Sequence, residues 1–462
     1  MLNDKKRKIV SIVGMGYVGL CLSVSLAKFE TPVICVDVDK ERVEKINSGK
    51  APIYEDQLPE LLELGIQKGL IKATTNTEQA ILESEITFIC VGTPTSDTGY
   101  IDLSQIHIAS HNIGKALKKK STYHGIAVKS TVIPGTTDSH VIPILEKESG
   151  KKAGRDFGIC LNPEFLREGS AIYDSLNPDK IIIGAIDDLS YQTFYMVFQD
   201  FHERVYGRDV FLRCDLRTAE MIKYANNSFL ACKVSFINEM ANLASLFGVD
   251  VKIVAKALGM DKRISKEYLN AGLGFGGSCF PKDVKALLSA GIDAGYTSKL
   301  LDATLQVNAD QPYYPVMMLK NEIGTLKGKK ICLLGLSFKP GTDDIRYAPS
   351  IQIAKRLLEE GAHLQLYDPV AMDNFKRESG ISTKAAITYC KTSKEALLNS
   401  DGVVIVTEWE EFSRLKPNDF KSLMRSSYVI DGRRIYDPSS FDNTGVTFMG
   451  IGYSKSRTFA PK

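Results

Sequence analysis

The sequence has little of several features that would mark particular classes of protein. Its 462 residues include one tryptophan, and the formal net charge is only +3. So small a charge gives no argument for binding to nucleic acid or to a membrane surface. The six histidines form no metal-ligand spacing. We therefore expect no metal site and no mechanism based on histidine.

Paired cysteines and long apolar runs are missing as well. The nine cysteines include no CxxC pair, which fits a reducing compartment and predicts a cytoplasmic protein. Lys5–Lys8, with an apolar stretch to Ala27, superficially resembles a signal peptide, but three glycines at motif spacing interrupt that stretch. No later segment is long and apolar enough to span a bilayer. With 44% hydrophobic and 24% charged residues, the chain is typical of a globular protein of two or three domains.

One cysteine lies in an unusual setting. The segment Gly272–Asp283, GLGFGGSCFPKD, has four glycines within six positions and presents Cys279. Glycine lets the backbone approach a ligand closely, so Cys279 is placed for nucleophilic attack rather than for packing. We interpret the other eight cysteines as small buried apolar residues.

The N-terminal segment predicts a dinucleotide site. A strand at Lys8–Val13 leads into a glycine turn and an apolar helix, and a second strand, Pro32–Val36, ends in Asp37. Asp37 is placed to bind the adenosine ribose hydroxyls and would repel a 2′-phosphate, which favours NAD over NADP. Arg42 could soften that preference or could be a solvated helix residue. The turn consists of Gly14, Gly16, Tyr17, Val18 and Gly19.

Further strands end in polar turns. Strands at Ile86–Val91, Gly125–Lys129 and Phe157–Leu161 run into segments that contain Thr93, Thr131 and Glu164, respectively. In an open α/β sheet, ligands bind outside the carboxyl ends of the strands, so these residues are candidates as a set. Thr93 or Thr131 could equally be a helix N-cap.

A long helix is predicted over Asp215–Gly248, with helical segments continuing to about Asp310. Lys223 and Asn227 lie four residues apart and share one face of this helix, so an ammonium and an amide could be aimed at one point. The alternative is a solvent-facing polar stripe.

A second α/β unit follows the helical region. A strand at Lys330–Leu334, a helix at about Ser350–Glu360 and a strand at His363–Tyr367 that ends in Asp368 repeat the N-terminal pattern without its three-glycine turn. This unit should therefore bind a nucleotide differently, or a different nucleotide. We predict two Rossmann-like doubly wound α/β domains, at residues 1–212 and 324–462, joined by a long central helix and a helical region at residues 213–323.

A dinucleotide domain and a nucleophilic cysteine together narrow the chemistry. A thiolate converts an aldehyde into a thiohemiacetal, loss of hydride leaves a thioester, and water releases a carboxylate. Lys223 and Asn227 could stabilise the oxyanion, and Asp283 or Glu164 could serve as the base for the water. The sequence thus predicts an oxidation that ends in an acid.

Five motifs in order give the chain a family resemblance. It closely resembles the nucleotide-sugar dehydrogenases of the UDP-glucose/GDP-mannose dehydrogenase family, which oxidise a sugar C6 alcohol to a carboxylate. The resemblance implies an NAD domain and a UDP-sugar domain joined by a long dimerisation helix, a homodimer or a multiple of it, and two NAD reduced per sugar. The motifs are Gly14–Gly19, Asn162–Gly169, Lys223–Asn227, Gly274–Asp283 and Phe338–Ser350.

The resemblance also assigns residue roles. It makes Cys279 the nucleophile, Lys223 and Asn227 the oxyanion and water-binding pair, and Asp283 a partner of Lys223. Glu164 would act as acid and base with Thr131 through water. Glu168 and Arg346 would approach NAD, and Arg263 would reach a substrate in the neighbouring subunit. The implied substrate residues are Phe165, Leu166, Asn270, Phe275 and Gly276 for the sugar, with Lys339 and Arg433 for the phosphates or the sugar.

The substrate is predicted from a few side chains. Ser170–Lys180 and Phe280 resemble the branch of the family that acts on UDP-glucose, and the segment NPEFLREG argues against the N-acetylhexosamine branch. The alternatives are GDP-mannose or a UDP-N-acetylhexosamine as substrate, and, in a different class, a catalytically idle sensor of nucleotide sugars. A sensor would require loss of Cys279, Lys223 or Asp283, and all three are present.

Overall fold

The computed structural model describes residues 7–96, 99–204, 210–381 and 386–453. The chain forms two compact units, Met1–Asn226 and Asn227–Lys462. The division into three domains predicted from the sequence stays a prediction, since the two units part within the central helix.

The first unit contains one sheet of eight strands in the order β3-β2-β1-β4-β5-β6-β7-β8. All neighbouring strands are parallel except β6 and β7, which are antiparallel. The first six strands follow the classic dinucleotide-binding order 3-2-1-4-5-6. The strands are β1 (Val10–Val13), β2 (Val33–Val36), β3 (Ile71–Thr74), β4 (Ile86–Ile89), β5 (His124–Val128), β6 (Phe157–Leu161), β7 (Ile181–Ala185) and β8 (Phe211–Cys214).

Helices cover this sheet because its strands are apolar on both faces. Ile12 belongs to one buried apolar cluster and the next residue, Val13, to another, as the alternation of side chains along a strand requires. The helices of the unit are α1 (Tyr17–Lys28), α2 (Lys40–Asn47), α3 (Leu58–Gln67), α4 (Thr77–Glu83), α5 (Ser104–Lys119), a π-helical turn (Thr137–Val141), α6 (Ile142–Ser149), α7 (Ala171–Leu176) and α8 (Asp188–Arg204).

A helix of 32 residues, α9 (Leu216–Phe247), carries both Lys223 and Asn227. It begins after Asp215, whose Oδ1 accepts a hydrogen bond from the Thr218 amide at 2.9 Å, and it ends before Gly248, which has a φ of 66°. A polar N-cap and a left-handed glycine are the usual helix ends, which is why the bounds match the sequence prediction so closely.

The second unit contains a six-stranded parallel sheet in the order β11-β10-β9-β12-β13-β14, the same 3-2-1-4-5-6 arrangement. The prediction of two doubly wound α/β sheets is therefore confirmed. The strands are β9 (Lys330–Leu334), β10 (His363–Tyr367), β11 (Ile387–Tyr389), β12 (Gly402–Ile405), β13 (Tyr428–Asp431) and β14 (Thr447–Gly450).

The helices of the second unit cover both faces of its sheet and carry the glycine-rich loop. Leu333 and Leu334, adjacent on β9, belong to different apolar clusters. Besides the C-terminal part of α9, the helices are α10 (Val251–Met260), α11 (Phe280–Asp293), α12 (Lys299–Asp310), α13 (Tyr314–Ile323), α14 (Pro349–Glu359), α15 (Met372–Glu378), α16 (Ser393–Leu397), α17 (Glu410–Ser413) and α18 (Pro417–Leu423), with 3-10 turns at Gln311–Tyr313 and Pro438–Phe441.

Candidate active site

The glycine turn after β1 has the geometry of a pyrophosphate cradle. Gly14 has a φ of +99°, and a Cβ built on it would lie 2.7 Å from the Cys90 carbonyl oxygen. A Cβ on Gly19 would lie 1.9 Å from the Gly14 oxygen, so helix packing requires that glycine. A Cβ on Gly16 would meet no atom within 4 Å. No residue of the described part of the chain requires glycine at this position, and the turn therefore fits a ligand that approaches the backbone at the N-terminus of α1, where Tyr17 and Val18 stand.

Asp37 lies directly after β2 and is buried. Its Oδ2 accepts a hydrogen bond from the Met15 amide at 2.8 Å, and its Oδ1 accepts one from the Asp39 amide at 3.0 Å. Arg42 Nη1 lies 3.2 Å from Asp37 Oδ2. The guanidinium of Arg42 thus pairs with the acidic residue of the fingerprint. Whether Arg42 softens the preference for NAD stays open.

The turns after β4 and β5 contact each other. Thr93 Oγ1 donates to the Thr131 carbonyl oxygen at 2.9 Å, and Ser130 Oγ donates to the Val91 carbonyl oxygen at 2.7 Å. Neither threonine caps a described helix, since α5 begins after Leu103 and the π-helical turn after Thr136. Thr93 and Thr131 therefore lie together at the carboxyl edge of the first sheet, where ligands bind in this fold.

A buried ion pair lies beside the turn after β6. Lys223 Nζ on α9 is 2.8 Å from Glu164 Oε1, and both side chains are less than a tenth exposed. Glu164 Oε2 accepts a hydrogen bond from the Leu166 amide at 2.6 Å. Burial alone would raise the pKa of Glu164, but the Lys223 charge, these hydrogen bonds and the Lys129 charge outweigh burial and lower it. Glu164 is therefore a carboxylate, poised to accept a proton.

Two ammonium groups flank the Phe165 ring. Lys180 Nζ lies 4.3 Å and Lys223 Nζ 5.3 Å from the ring centroid, and Lys180 also donates to Asn226 Oδ1 at 2.7 Å. Phe165 is a predicted sugar-site residue, whereas Lys180 had no predicted role of its own. Leu166 and Glu168, on the same turn, are half-buried.

Cys279 is the N-cap residue of α11 in the second unit and is half-buried, whereas six of the nine cysteines are buried. The partial positive charge of a helix N-terminus stabilises a thiolate there. Ser278 Oγ lies 3.5 Å from Cys279 Sγ.

The carboxylate of Asp283, one turn further along α11, is almost completely buried. It accepts a hydrogen bond from Asn227 Nδ2 at 2.7 Å and lies 2.5 Å from Lys282 Nζ. The structure thus brings Asn227 and Asp283 together. The pairing of Asp283 with Lys223 that the family resemblance implies stays a prediction.

The glycines before Cys279 are required by close packing within the second unit. A Cβ on Gly276 would lie 2.5 Å from the Tyr347 carbonyl oxygen, and one on Gly277 would lie 2.8 Å from the Phe338 ring. The Gly277 amide donates to the Arg346 carbonyl oxygen at 2.8 Å. The cysteine loop therefore rests on the segment that follows β9.

Three amide side chains hold the start of this loop. Asn238 Oδ1 accepts from the Gly272 amide at 2.8 Å, Gln311 Nε2 donates to the Gly272 carbonyl oxygen at 2.8 Å, and Asn308 Oδ1 accepts from the Phe275 amide at 2.7 Å. Sequence reasoning missed all three, and no local signal marks them, because each lies more than 30 residues from its partner.

Arg433 follows β13 and reaches the same loop. Its Nε donates to the Val406 carbonyl oxygen at 2.7 Å and its Nη1 to the Gly274 carbonyl oxygen at 3.3 Å. Its Nη2 is buried and has no hydrogen-bond partner among the described residues. The guanidinium also lies 3.3 Å from Glu408 Oε2, through its Nε. Its Nη2 is a spare donor beside the cysteine loop, which suits an anionic ligand such as a diphosphate.

The remaining predicted substrate and cofactor residues of the second unit differ in their exposure. Arg346 is paired with Asp344 at 2.6 Å, and Arg263 with Asp261 at 2.6 Å. Lys339 Nζ lies 5.7 Å from the Phe338 ring centroid. Asn270 is exposed and Phe275 is buried.

The acidic residue that ends β10, Asp368, differs from its counterpart Asp37. Its Oδ2 accepts from the Leu336 amide at 2.7 Å, the Ser337 amide at 3.1 Å and the indole Nε1 of Trp409 at 3.1 Å. Its Oδ1 accepts from two further amides, at positions 370 and 371. The protein's own donors engage both carboxylate oxygens of Asp368, as they do in Asp37, but Asp368 accepts from more of them. How this unit binds a nucleotide stays a prediction.

Comparison with known proteins places these features in one family. Three family models match in succession: the NAD binding domain of the UDP-glucose/GDP-mannose dehydrogenase family at residues 8–202, its central domain at 217–310 and its UDP binding domain at 332–438. The chain belongs to the UDP-glucose/GDP-mannose dehydrogenase family. The predicted family and the NAD cofactor are confirmed.

Individual members of the UDP-glucose/GDP-mannose dehydrogenase family are similar over almost the whole chain. The UDP-glucose 6-dehydrogenase AglM of Haloferax volcanii is 42% identical over 92% of this chain and 96% of its own length. The UDP-glucose 6-dehydrogenase YwqF of Bacillus subtilis is 38% identical over 96% and 97%, respectively. The structure of a UDP-glucose dehydrogenase from Pyrobaculum islandicum superposes with a TM-score of 0.89 at 36% identity, covering 98% of this chain and all of that one.

The described part of the chain has neither a metal-binding cluster nor a membrane-spanning helix. No group of three or more histidine, cysteine, aspartate or glutamate residues there could hold a metal ion. None of the helices in the same ranges combines the length and the apolar character that crossing a bilayer requires.

Proposed function

We propose that the protein oxidises the C6 alcohol of UDP-glucose to the carboxylate of UDP-glucuronate with NAD. The observation that carries the proposal is Cys279, half-buried at a helix N-terminus on a glycine loop. An enzyme that stopped at the aldehyde would have no use for a thiol nucleophile. The relatives named above, all UDP-glucose dehydrogenases, support UDP-glucose as the substrate.

The chemistry divides into two oxidations and a hydrolysis. In the first oxidation a base removes the proton of the C6 hydroxyl group, and the hydride leaves C6 to give an aldehyde. Bound NAD supplies the hydride acceptor. The Cys279 thiolate then adds to C6 as a thiohemiacetal, loss of a second hydride leaves a thioester, and water cleaves the thioester to the acid.

The polar side chains take the roles that their environments suit. Glu164, a carboxylate in the buried pair with Lys223, accepts protons, with Thr131 holding a water beside it. Lys223 and Asn227 donate to the oxyanion that forms at C6. Asp283 orients the Asn227 amide through the 2.7 Å hydrogen bond and is a second base for the hydrolytic water.

The test is the amount of NADH formed from a limiting amount of nucleotide sugar. Purified protein with excess NAD is given UDP-glucose, GDP-mannose or UDP-N-acetylglucosamine in parallel. Two NADH per UDP-glucose, and none from the other two sugars, is the expected result. One NADH per sugar would overturn the four-electron mechanism, activity with another sugar would overturn the substrate, and no activity with any of the three would favour a sensor.

We also propose that the protein is a homodimer formed through the helical region. Several large apolar side chains on α9 and α10 are exposed in the second unit: Phe229 is 66%, Ile253 65% and Met260 77% exposed. Apolar exposure on this scale supports the proposal, because a partner chain that covered these side chains would remove them from water. Light scattering after size exclusion should give twice the chain mass of 51.0 kDa, and Phe229→Glu should shift the protein toward the monomer. A monomeric wild-type protein would contradict the proposal.

We also propose that the protein works in the cytoplasm. All nine cysteines are free, which fits a protein that works in the reducing cytoplasm. The NAD and nucleotide-sugar chemistry proposed above also requires substrates that this compartment supplies.

A further inference from the structure

Lys129 is a buried lysine that the proposed mechanism does not use. It follows β5 directly and is 8% exposed. Its Nζ donates to Asn162 Oδ1 at 2.8 Å and approaches the Asn162 carbonyl oxygen at 3.4 Å. Burial of an ammonium group costs free energy that an apolar side chain of similar shape would not cost. A lysine in this position therefore calls for a functional explanation.

The register of the sheet explains why Lys129 and Asn162 meet. Strands β5 and β6 are parallel, and Val128 pairs with Leu161 at their carboxyl ends. Lys129 and Asn162 are the next residue on each strand, so their side chains leave the sheet on the same face. Asn162 is fixed in turn, since its amide donates to the Val128 carbonyl oxygen at 2.9 Å and its Nδ2 to the Ile182 carbonyl oxygen at 2.8 Å.

The contact between Lys129 and Asn162 lies next to two residues that have roles in the proposed mechanism. Thr131 stands two positions after Lys129, and Glu164 stands two positions after Asn162. A contact that joins the two strand ends therefore also sets the spacing of the turns that carry Thr131 and Glu164. Sequence reasoning placed Lys129 at the end of a strand and gave it no role.

Charge links Lys129 to the proposed base as well. The charged and titratable groups that face its ammonium are Cys90 after β4, Glu164 after β6 and Lys223 on α9. Burial lowers the pKa of Lys129 to about 8, partly offset by Cys90 and Glu164, while Lys223 lowers it further. Lys129 remains predominantly cationic at neutral pH and helps to keep Glu164 ionised.

We propose that Lys129 is a positioning residue for the reaction, which holds the Asn162–Glu164 turn in place and keeps the Glu164 carboxylate charged. The inference rests on the proposed function, since it takes Glu164 as the base. It concerns the first unit alone.

The test compares Lys129→Met with Lys129→Arg and with a matched control, Lys120→Met. Lys120 is also 8% exposed and lies before β5, at the opposite end of the same strand. Its Nζ donates to the backbone carbonyl oxygens of Ile81 at 2.7 Å and Leu82 at 3.2 Å, and to that of Ser84. Lys120 thus has the same exposed fraction as Lys129, while its ammonium group donates to these backbone carbonyl oxygens and, among the described residues, not to one of the proposed site.

The readout is kcat/KM for UDP-glucose as a function of pH, together with the KM for NAD. For Lys129→Met we expect kcat/KM to fall by about 10- to 100-fold. A positioned acid or base contributes ~10²- to 10⁴-fold, and the variant loses only part of that contribution because Glu164 is still present. We expect the acid limb of the profile to move up by at least about 0.5 pH units, because the Glu164 pKa rises when the cation is lost. The KM for NAD should stay within about twofold. Lys129→Arg should return the acid limb toward its wild-type position.

Lys120→Met should lower the melting temperature and leave the acid limb in place. An unshifted acid limb in Lys129→Met, or an equal shift in Lys120→Met, would overturn the inference.

A second measurement tests the link between Lys129 and Glu164 independently of the proposed function. In a double-mutant cycle of melting temperatures, Lys129→Met and Glu164→Gln should together lower the melting temperature by less than the sum of the single losses. Additive losses would refute the link between the two charges, even in a protein that proves inactive with UDP-glucose. If the wild-type protein is inactive with UDP-glucose and the cycle is non-additive, the proposed function is refuted, but the link between the Lys129 and Glu164 charges stands.

Discussion

Gly277 offers a direct test of whether close packing positions Cys279. Its φ is +82°, and a Cβ would lie 2.8 Å from Cε2 and 2.9 Å from Cζ of Phe338. Gly295 beyond the end of α11 has a φ of +81°, but a Cβ there would meet no atom within 4 Å. The two glycines therefore share the backbone requirement and differ in the collision, which makes Gly295→Ala a matched control for Gly277→Ala.

The expected losses of stability and activity follow from the backbone strain that both variants share and from the collision that only Gly277→Ala has. Alanine in the left-handed region costs about 1–2 kcal/mol, and both variants carry this cost. Overpacking adds about 1–3 kcal/mol in Gly277→Ala alone. A shift of the loop by about 1 Å moves the Cys279 thiol enough to lower kcat by about 100-fold. Gly295→Ala should lose a few degrees of melting temperature and retain its kcat.

The assay is NADH formation from UDP-glucose, with NADH binding to the first unit followed separately by coenzyme fluorescence. Coenzyme affinity should be unchanged in both variants. Adding Phe338→Leu to Gly277→Ala removes the ring atoms that collide and should restore part of the lost kcat. Wild-type kcat in Gly277→Ala, or an equal loss in Gly295→Ala, would refute the packing argument.

Three further predictions follow from other residues. Cys279→Ser should abolish acid formation, because an alkoxide is a much poorer leaving group than a thiolate. Mass spectrometry of the intact protein should detect a trapped sugar ester. Wild-type turnover would contradict the assignment of Cys279 as the nucleophile. Asp37→Ala should raise the KM for NAD and leave the KM for UDP-glucose unchanged, since Asp37 is the residue predicted to bind the adenosine ribose. An unchanged KM for NAD would count against this prediction. His124 is completely buried, and burial lowers its pKa from 6.5 to about 3, so the unfolded chain takes up a proton below about pH 6.5 that the folded protein does not. The free energy of unfolding therefore decreases as the pH falls, by about 2 kcal/mol near pH 5. Denaturant titrations of His124→Gln should show a decrease smaller by that amount, with the exposed His363→Gln as control. Equal decreases in the wild type and in His124→Gln would refute the argument.

Much of the fold could be read from the sequence because its signals are local. Buried parallel strands are continuous apolar runs, and Phe157–Leu161 and His363–Tyr367 have the same bounds in the structure as in the prediction. The antiparallel strand β7 and the edge strands β3 and β8 were not predicted. Edge strands such as β8, with its exposed and half-buried residues, lack the continuous apolar run that marks a central strand.

Candidates for the chemistry could be named from the sequence, and their roles stay predictions, but the residues that support them could not be named. Cys279 and Asp283 lie in one motif, and a glycine-rich loop beside charged residues is a local signal. The contacts of Gly276 with Tyr347 and of Lys129 with Asn162 join segments far apart in the chain. Only the register of the sheet and the packing of the loop bring them together, and neither is encoded in a local pattern.

Trp409, which donates a hydrogen bond to Asp368, can serve as an intrinsic fluorescent probe of the second unit. Trp409 is the one tryptophan of the chain, and its indole nitrogen lies 3.1 Å from the carboxylate at the end of β10. Tryptophan emission from the whole molecule therefore originates at a single place, near the carboxyl edge of the second sheet. A nucleotide that binds at this edge can be followed without a label, and its arrival can be timed independently of coenzyme binding by the first unit.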